Sequence, residues 1–426
     1  MKRNIGNLFI LACVFLTILV WIVFPPVNDG REKFVRQYAG EIIGSVNIVL
    51  MASSLFISTR PRWAEPFFGG LDKMYMTHRR TSTAALLLIF VHVLTVPISL
   101  TGWVLGNYLA VFAFTGIVSI ALVSLSPRIP LLNRLTGGTY EGWKNLKKYI
   151  GIFFIAGFIH SLTIRHPLDA FIAINWVQIF FIIGAVSYLY TELFGRFFGK
   201  YVPYTVESID HPTNFTTEVV MRAKGNPIKK HRAGQFLFVR FPNEKTLNES
   251  HPFTISSAPH EEVLRVTIKA SGDFTRTLFT ELKPGVEAIV EGAHGLFDYK
   301  SGGEKQIWIA GGIGVTPFLA FIRDMRETLD RKVDFYYAMR HRDEVLFHNE
   351  IQEAGIRNPN LKVHIRYSAS GGSLTIGEIV RNASGALSEY HVYMCGPYSM
   401  MQSFEKKFLE SGVSARNIHF EEFNFR

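Results

Sequence analysis

Gly311-Gly312-Ile313-Gly314-Val315-Thr316-Pro317-Phe318 lies between an apolar run, residues 307–310, and a helical pattern, residues 318–328. Glycines in such a place let the backbone approach a pyrophosphate, and the helix that follows offers amide donors and its positive dipole end. Thr316 suits a cap and Pro317 the first helical turn. A glycine-rich loop alone is a weak signal, and the strand–loop–helix context is what gives this one weight. Working outward, residues 333–338, 362–367 and 391–394 read as further strands, with a helical pattern over 398–409. Strands alternating with helices imply a parallel α/β sheet. Met394-Cys395-Gly396-Pro397 closes the last strand at the carboxyl edge, where ligands bind in open α/β folds. Gly311, Gly312, Gly314, Thr316, Pro317, Gly396 and Pro397 are therefore the nucleotide-binding candidates. Arg340, with His341 and Arg342, follows the second strand, where a 2′-phosphate reader belongs. Arg366, at the end of the third, is a second candidate. Solvated surface charge is the competing explanation for both.

Upstream, residues 219–221, 235–241, 264–269 and 288–291 are short apolar or alternating runs between Gly, Pro and Asn signals, as expected of a small antiparallel barrel. His251-Pro252-Phe253-Thr254 follows one of these runs. Ile268-Lys269-Ala270-Ser271-Gly272-Asp273-Phe274-Thr275 comes shortly after. It places a cation, a glycine and hydroxyls together, a combination suited to a dinucleotide's diphosphate.

The first 195 positions differ in kind. The chain has 426 residues, 48% hydrophobic and 19% charged, and the apolar residues cluster here. Six stretches, residues 5–24, 42–57, 81–100, 108–125, 149–164 and 171–190, approach the roughly 20 residues a spanning helix needs. The first is too long for a signal-peptide core and leads into Phe24-Pro25-Pro26, not a small-residue cleavage site. Lys2, Arg3, Arg60, Arg62, Lys73, Arg79, Arg80, Arg128, Arg134, Lys144, Lys147, Lys148, Arg196 and Lys200 fall in alternate loops. Both termini are therefore expected in the cytosol. Much of the formal net charge of +10 is thus a topology signal and not a nucleic-acid surface. Cys13 and Cys395 are the two cysteines, too few for an iron–sulfur cluster, which usually takes four Cys ligands.

Ionisable residues within spanning helices suggest function. His78 and His92 lie 14 residues apart, about 21 Å of helical rise on one face. His160 lies 14 residues beyond Leu146, where the fifth helix is expected to begin. Counted from the inner helix ends, His92 and His160 sit at similar depth, placed to clamp one haem iron. Core histidines bonded to carbonyls are the competing explanation. His166 reads as a loop residue.

Together these motifs resemble the ferredoxin–NADP reductase superfamily, and within it the membrane-bound ferric reductases and NADPH oxidases. His251–Thr254 matches that branch's flavin motif, Gly311–Phe318 its nucleotide motif, and Cys395–Pro397 its nicotinamide-side motif. Phe425 matches its flavin-facing terminal aromatic, with Phe423 as the alternative. His78, His92 and His160 match its haem ligands. One departure stands out: the fifth helix carries Lys147 where the branch has an inner histidine.

The resemblance implies a membrane bundle of six helices over residues 1–200, an antiparallel β-barrel FAD domain over 201–302 and an α/β nucleotide domain over 303–426. It implies electron transfer from NADPH or NADH through FAD to haem b, with Cys395 and Phe425 at the site of hydride transfer. His251, Pro252, Phe253, Thr254, Lys269, Gly272 and Thr275 are the expected FAD contacts. One haem is expected at His92 and His160, while an inner one at His78 stays open. Oxygen, ferric chelates, quinone and a periplasmic protein remain as acceptors, and a sensor or electron-transfer subunit remains the alternative to an enzyme.

Overall fold

Long apolar runs without interior proline build the first part of the chain, and short β-rich runs broken by glycine build the second. The computed structural model describes residues 5–28, 30, 32–98, 102–125, 147–164, 170–194, 201–228, 231–325 and 329–421. It divides into two compact units, Met1–Phe198 and Gly199–Arg426.

The first unit contains α1 (Ile5–Val23), α2 (Phe34–Ser58), α3 (Leu71–Thr95), α4 (Leu105–Leu125), α5 (Ile150–Thr163) and α6 (Phe171–Leu189). Helix α2 packs against α1, α3 and α6, and α4 against α5. Small residues at the contacts let the helices close up, the usual device where apolar surface gives no selectivity. Polar side chains tie them as well. The Trp21 indole donates to Ser45 Oγ at 2.9 Å, and Trp176 donates to Thr17 Oγ1 at 2.9 Å. Leu8, Phe9, Leu11 and Phe15 stand on the open face of α1.

Six helices lie where six apolar stretches are expected, and four of them stand out by length and apolarity. Among the described residues, Ile5–Val23, Phe34–Ser58, Leu105–Ser124 and Phe171–Phe194 are long and apolar enough to cross a membrane. Helix α3 has 25 residues, but Asp72, Lys73, Arg79 and Arg80 occupy its first half. Helix α5 has 14 residues, about 21 Å of rise, which is short of the roughly 30 Å hydrocarbon core.

The second unit contains two sheets. The first holds β1 (Tyr201–Thr213), β2 (Thr216–Ala223), β3 (Phe236–Arg240), β4 (His251–Thr254), β5 (Val263–Lys269) and β6 (Glu287–His294), antiparallel in the order β4-β3-β6-β1-β2-β5. The closed barrel expected from sequence is open. Its edges β4 and β5 meet through one isolated bridge, Ile255 with Val266, and a Ser256 N–H to Arg265 O bond of 2.9 Å. Helix α7 (Asp273–Glu281) follows β5. His251–Thr254 does not merely follow a strand, as read from sequence: it is strand β4. Pro252 lacks an N–H, which an edge strand tolerates.

The second sheet holds β7 (Lys305–Gly311), β8 (Lys332–Met339), β9 (Leu361–Tyr367), β10 (His391–Cys395) and β11 (Ile418–Phe420), parallel, in the order β11-β10-β7-β8-β9. Helices α8 (Thr316–Asp324), α9 (His348–Arg357), α10 (Ile376–Asn382) and α11 (Tyr398–Glu410) accompany it. One face packs Trp308, Phe318, Phe321, Phe335 and Tyr337, all fully buried. The Trp308 indole is satisfied inside this layer, donating to Gln306 Oε1 at 2.8 Å. Truncating so large a buried side chain removes apolar contact and leaves a cavity. Trp308→Ala should therefore destabilise the second unit by about 3–5 kcal/mol, read as a lower thermal midpoint. An unchanged midpoint would contradict the packing described.

Candidate functional site

Strand β7 leads through a 3₁₀ turn, Gly312–Val315, into α8, with Pro317 in the first helical turn. Its parallel neighbour β10 pairs Cys395 with Ala310, so both loops leave the sheet at the same edge. The sheet reverses its order at this point, since β7 connects onward to β8 on one side and lies beside β10 on the other. Such a switch point opens a crevice between strand ends. Two glycines are required there. A Cβ on Gly314 would lie 2.2 Å from the Cys395 carbonyl oxygen. Gly312 has φ +57°, and a Cβ there would meet nothing within 4 Å. Backbone is thus exposed where a phosphate would approach. The Cys395 thiol is buried, and burial first, then Glu421, pushes its pKa up. It is a neutral thiol at physiological pH and not a thiolate nucleophile.

Arg340 is exposed just beyond the end of β8. Arg366 is committed locally, donating to Gly371 O and Gly372 O and lying 3.9 Å from Glu378. That leaves Arg340 as the less encumbered cation at this edge.

On the open barrel, Thr254 pairs with Phe236 and Pro252 with Phe238. Thr254 is buried. The His251 ring stacks on Phe274 with centroids 3.8 Å apart, and Phe253 stacks on the same ring at 6.5 Å. The Thr275 hydroxyl accepts from Gly272 N at 2.9 Å and Ser271 N at 3.0 Å, which fixes the turn that opens α7. Lys269 Nζ lies 5.2 Å over the Phe215 ring. The two motifs thus meet at the barrel seam, joined by Phe274, a residue the sequence reading quoted without giving it a role.

In the first unit, His92 Nδ1 lies 2.9 Å from Gly40 O, and His160 Nδ1 lies 2.8 Å from Gly106 O. A carbonyl can only accept, so each imidazole donates through Nδ1 and keeps its lone pair on Nε2. That tautomer is the one a metal-ligating histidine takes. Each histidine sits three residues before the end of its helix. Both line one cavity of about 320 Å³ with Trp21, Gly44, Trp103, Phe114 and Phe158. Two imidazoles on one largely apolar cavity are a donor set of the kind a haem would use. His78 is not among the lining residues. Its Nδ1 lies 2.9 Å from Ser54 Oγ and 3.0 Å from Ser54 O. Phe423, Phe425, His166 and the side chain of Lys147 fall outside the described residues. No sequence signal points to the carbonyls of Gly40 and Gly106, because every residue carries one.

A family model for the oxidoreductase NAD-binding domain matches residues 308–406. The carnitine monooxygenase reductase subunit of Escherichia coli K12 is 24% identical over 205 residues, which is 47% of this chain and 61% of that protein. Mouse NADPH oxidase 1 is 32% identical over 160 residues, 33% of this chain and 25% of that protein. A crystal structure of flavohemoglobin from Malassezia yamatoensis, with bound FAD and heme, aligns with TM-score 0.53 and 16% identity, covering 96% of this chain and 98% of that one. At that identity the last likeness speaks for fold alone. The chain spans less than two thirds of the length of either curated relative.

Residues 308–406 match the oxidoreductase NAD-binding domain, and the unit carrying them is similar to a reductase subunit. Over 160 residues the chain is similar to an NADPH oxidase. The crevice gives a direct test. Gly314→Ala forces a methyl against the Cys395 backbone, and such overpacking costs about 1–3 kcal/mol. The variant should melt earlier and gain less thermal protection from NADPH than wild type. Equal protection would show that the loop does not hold nucleotide.

Proposed function

We propose that the chain is a membrane flavocytochrome that passes electrons from cytosolic NAD(P)H, by way of FAD and b-type haem, to an acceptor at the outer side of the membrane. Oxygen or a ferric chelate is the acceptor favoured. The observation that carries this reading is the pair His92 and His160, each with Nδ1 on a helix carbonyl and both lining one cavity. The NAD-binding match and the likeness to NADPH oxidase 1 support it.

In this reading residues 1–200 carry haem, 201–302 FAD and 303–426 nucleotide. All six helices cross the cell membrane, α3 and α5 with help from their flanks, and both termini are cytosolic. His251, Pro252, Phe253, Thr254, Lys269, Gly272 and Thr275 hold FAD. Gly311, Gly312, Gly314, Thr316, Pro317, Gly396 and Pro397 hold the nucleotide. Cys395 flanks the nicotinamide as a neutral, space-filling thiol, and Phe425 covers the flavin. Bound FAD would accept hydride and return electrons singly, which is why such a group suits a nicotinamide-to-haem relay. Lys147, in the place of the family's inner histidine, favours a second reading, an electron-transfer subunit or sensor serving quinone or a periplasmic protein.

The test is anaerobic addition of NADPH to the purified chain with flavin and haem spectra recorded together. Bleaching of the flavin followed by reduced-haem bands is expected. Flavin reduction without haem reduction would overturn the relay.

Haem content should be one per chain, retained in His78→Ala and lost in His92→Leu. Two haems falling to one in His78→Ala would replace the one-haem view with a two-haem one. Arg340 is assigned to the 2′-phosphate, so NADPH should be preferred over NADH. Losing a charged hydrogen bond costs about 1.5–3 kcal/mol, so Arg340→Ala should lower kcat/KM for NADPH by about tenfold or more and leave NADH little changed. An unaltered ratio removes Arg340 from the site.

A further inference from the structure

The C-terminal end of α8 carries two consecutive charged residues that leave the nucleotide domain. Arg323 holds Glu350 of α9 in a two-pronged pair, Nε to Oε1 at 2.7 Å and Nη2 to Oε2 at 3.0 Å. Its remaining nitrogen reaches the open barrel. Nη1 donates to Glu218 Oε1 of β2 at 3.1 Å and to Ser256 O at 3.0 Å. The guanidinium also lies 5.0 Å from the Phe347 ring centre. Its side chain is 13% exposed, and that of Glu218 is 7% exposed. Arg265 braces the same carboxylate from β5 at 3.6 Å. Asp324, the next residue, grips a different region: Lys300 Nζ at 2.6 Å and Tyr299 Oη at 3.1 Å.

Both ends of this linkage matter. Ser256 stands two residues after Thr254, the last residue of the flavin-motif strand β4. Arg323 stands at the far end of the helix that begins at Thr316, directly after the glycine loop. An α-helix is a stiff rod, and nine residues span about 13 Å. Fixing its far end against the barrel therefore fixes where its near end lies. Burial of so many charges is weak evidence for stability alone, since desolvation offsets much of the attraction. What the arrangement supplies is geometry. A planar fork with five donors reaches two carboxylates and a carbonyl at once, which an ammonium group cannot reproduce.

We propose that Arg323 is a positioning residue that sets how closely the nucleotide loop approaches the flavin strand. It touches neither bound group and acts through α8. The proposal rests on the assignment above of FAD to the barrel and nicotinamide nucleotide to the parallel sheet.

The experiment uses the full chain in detergent, mixed anaerobically with NADPH in a stopped-flow instrument. Arg323→Lys and Glu218→Gln are compared with wild type. Displacing a reacting group by about 1 Å can cost about 10²-fold in rate. Arg323→Lys should therefore lower the limiting rate of flavin reduction by at least about tenfold and weaken the long-wavelength nicotinamide–flavin absorbance. The NADPH Kd should stay close to the wild-type value. Glu218→Gln keeps the shape but removes a charge, and it should show the same pattern to a smaller degree. A limiting rate equal to wild type, with only a lower melting temperature, would make the cluster structural and overturn the proposal. A raised Kd with an unchanged limiting rate would overturn it as well. If Arg323→Lys emerges without flavin, Glu218→Gln decides by the same criteria. Wild-type flavin that NADPH does not reduce sinks the functional assignment instead, before the positioning role is reached.

Discussion

The second unit depends on one close approach, the backbone of Gly314 against the carbonyl of Cys395, with no room for a side chain between them. Two parallel strands, β7 and β10, end side by side, and their loops must part in different directions. Only a loop without side chains at the contact can leave the sheet there and still open a helix one turn later. The crevice, the exposed amides and the direction of α8 all follow from that contact. The aromatic layer beneath, with Trp308, Phe318 and Phe335 fully buried, holds β7 and α8 together, so packing adds to what the loop's own glycines allow.

In the helical unit the organising bond is imidazole to helix carbonyl. Helices α2 and α3 run antiparallel, and their register is visible in two such bonds. Gly40 faces His92 and Ser54 faces His78. Fourteen residues separate the members of each pair on their own helix, so both helices advance in step through four turns. The close fit at Gly44, where a Cβ would lie 3.1 Å from the His92 ring, keeps the imidazole pressed against α2. A ring held on one nitrogen and packed on one face has lost most of its rotational freedom before any ligand arrives, which is the preorganisation a metal ligand requires.

Much of this was legible in the sequence, for identifiable reasons. Strands β7, β8, β9 and β10 were readable because continuous apolar runs alternate with helical patterns. The order of the sheet was not, since pairing partners leave no local mark. Strand β1 is not among the runs read as strands; Pro203 and Pro212 interrupt its pattern, yet Pro203 still pairs with Ile289. Strand β4 is only four residues long and contains Pro252, so it leaves little strand signal, although a proline on an edge strand costs no ladder bond. The six apolar stretches were readable as such, but the charged first half of α3 and the short α5 separate two of them from the other four. The histidines were findable by counting, while their carbonyl partners and the Arg323 cluster were invisible, because both depend on tertiary contacts between residues distant in sequence.

The comparison of His78 with His92 bears on how the two levels of the bundle differ. Both donate through Nδ1 to a carbonyl of α2, so the hydrogen bond alone does not distinguish them. The surroundings do. His92 borders a cavity shared with a second imidazole and lined mostly by aromatic and aliphatic side chains, with Gln37, Glu41, Asn47 and Asn107 also on it, whereas His78 is drawn into a hydroxyl network in which Ser54 Oγ lies 2.8 Å from Ser82 Oγ. A haem needs an apolar slot as wide as its macrocycle as well as an axial nitrogen. Ser54 and Ser82 contribute polarity beside His78, and Arg79 and Arg80 follow it directly in the chain. The physical contrast between the two levels thus lies in the space beside the imidazole more than in the bond that orients it: His92 faces a cavity, and His78 faces hydroxyls.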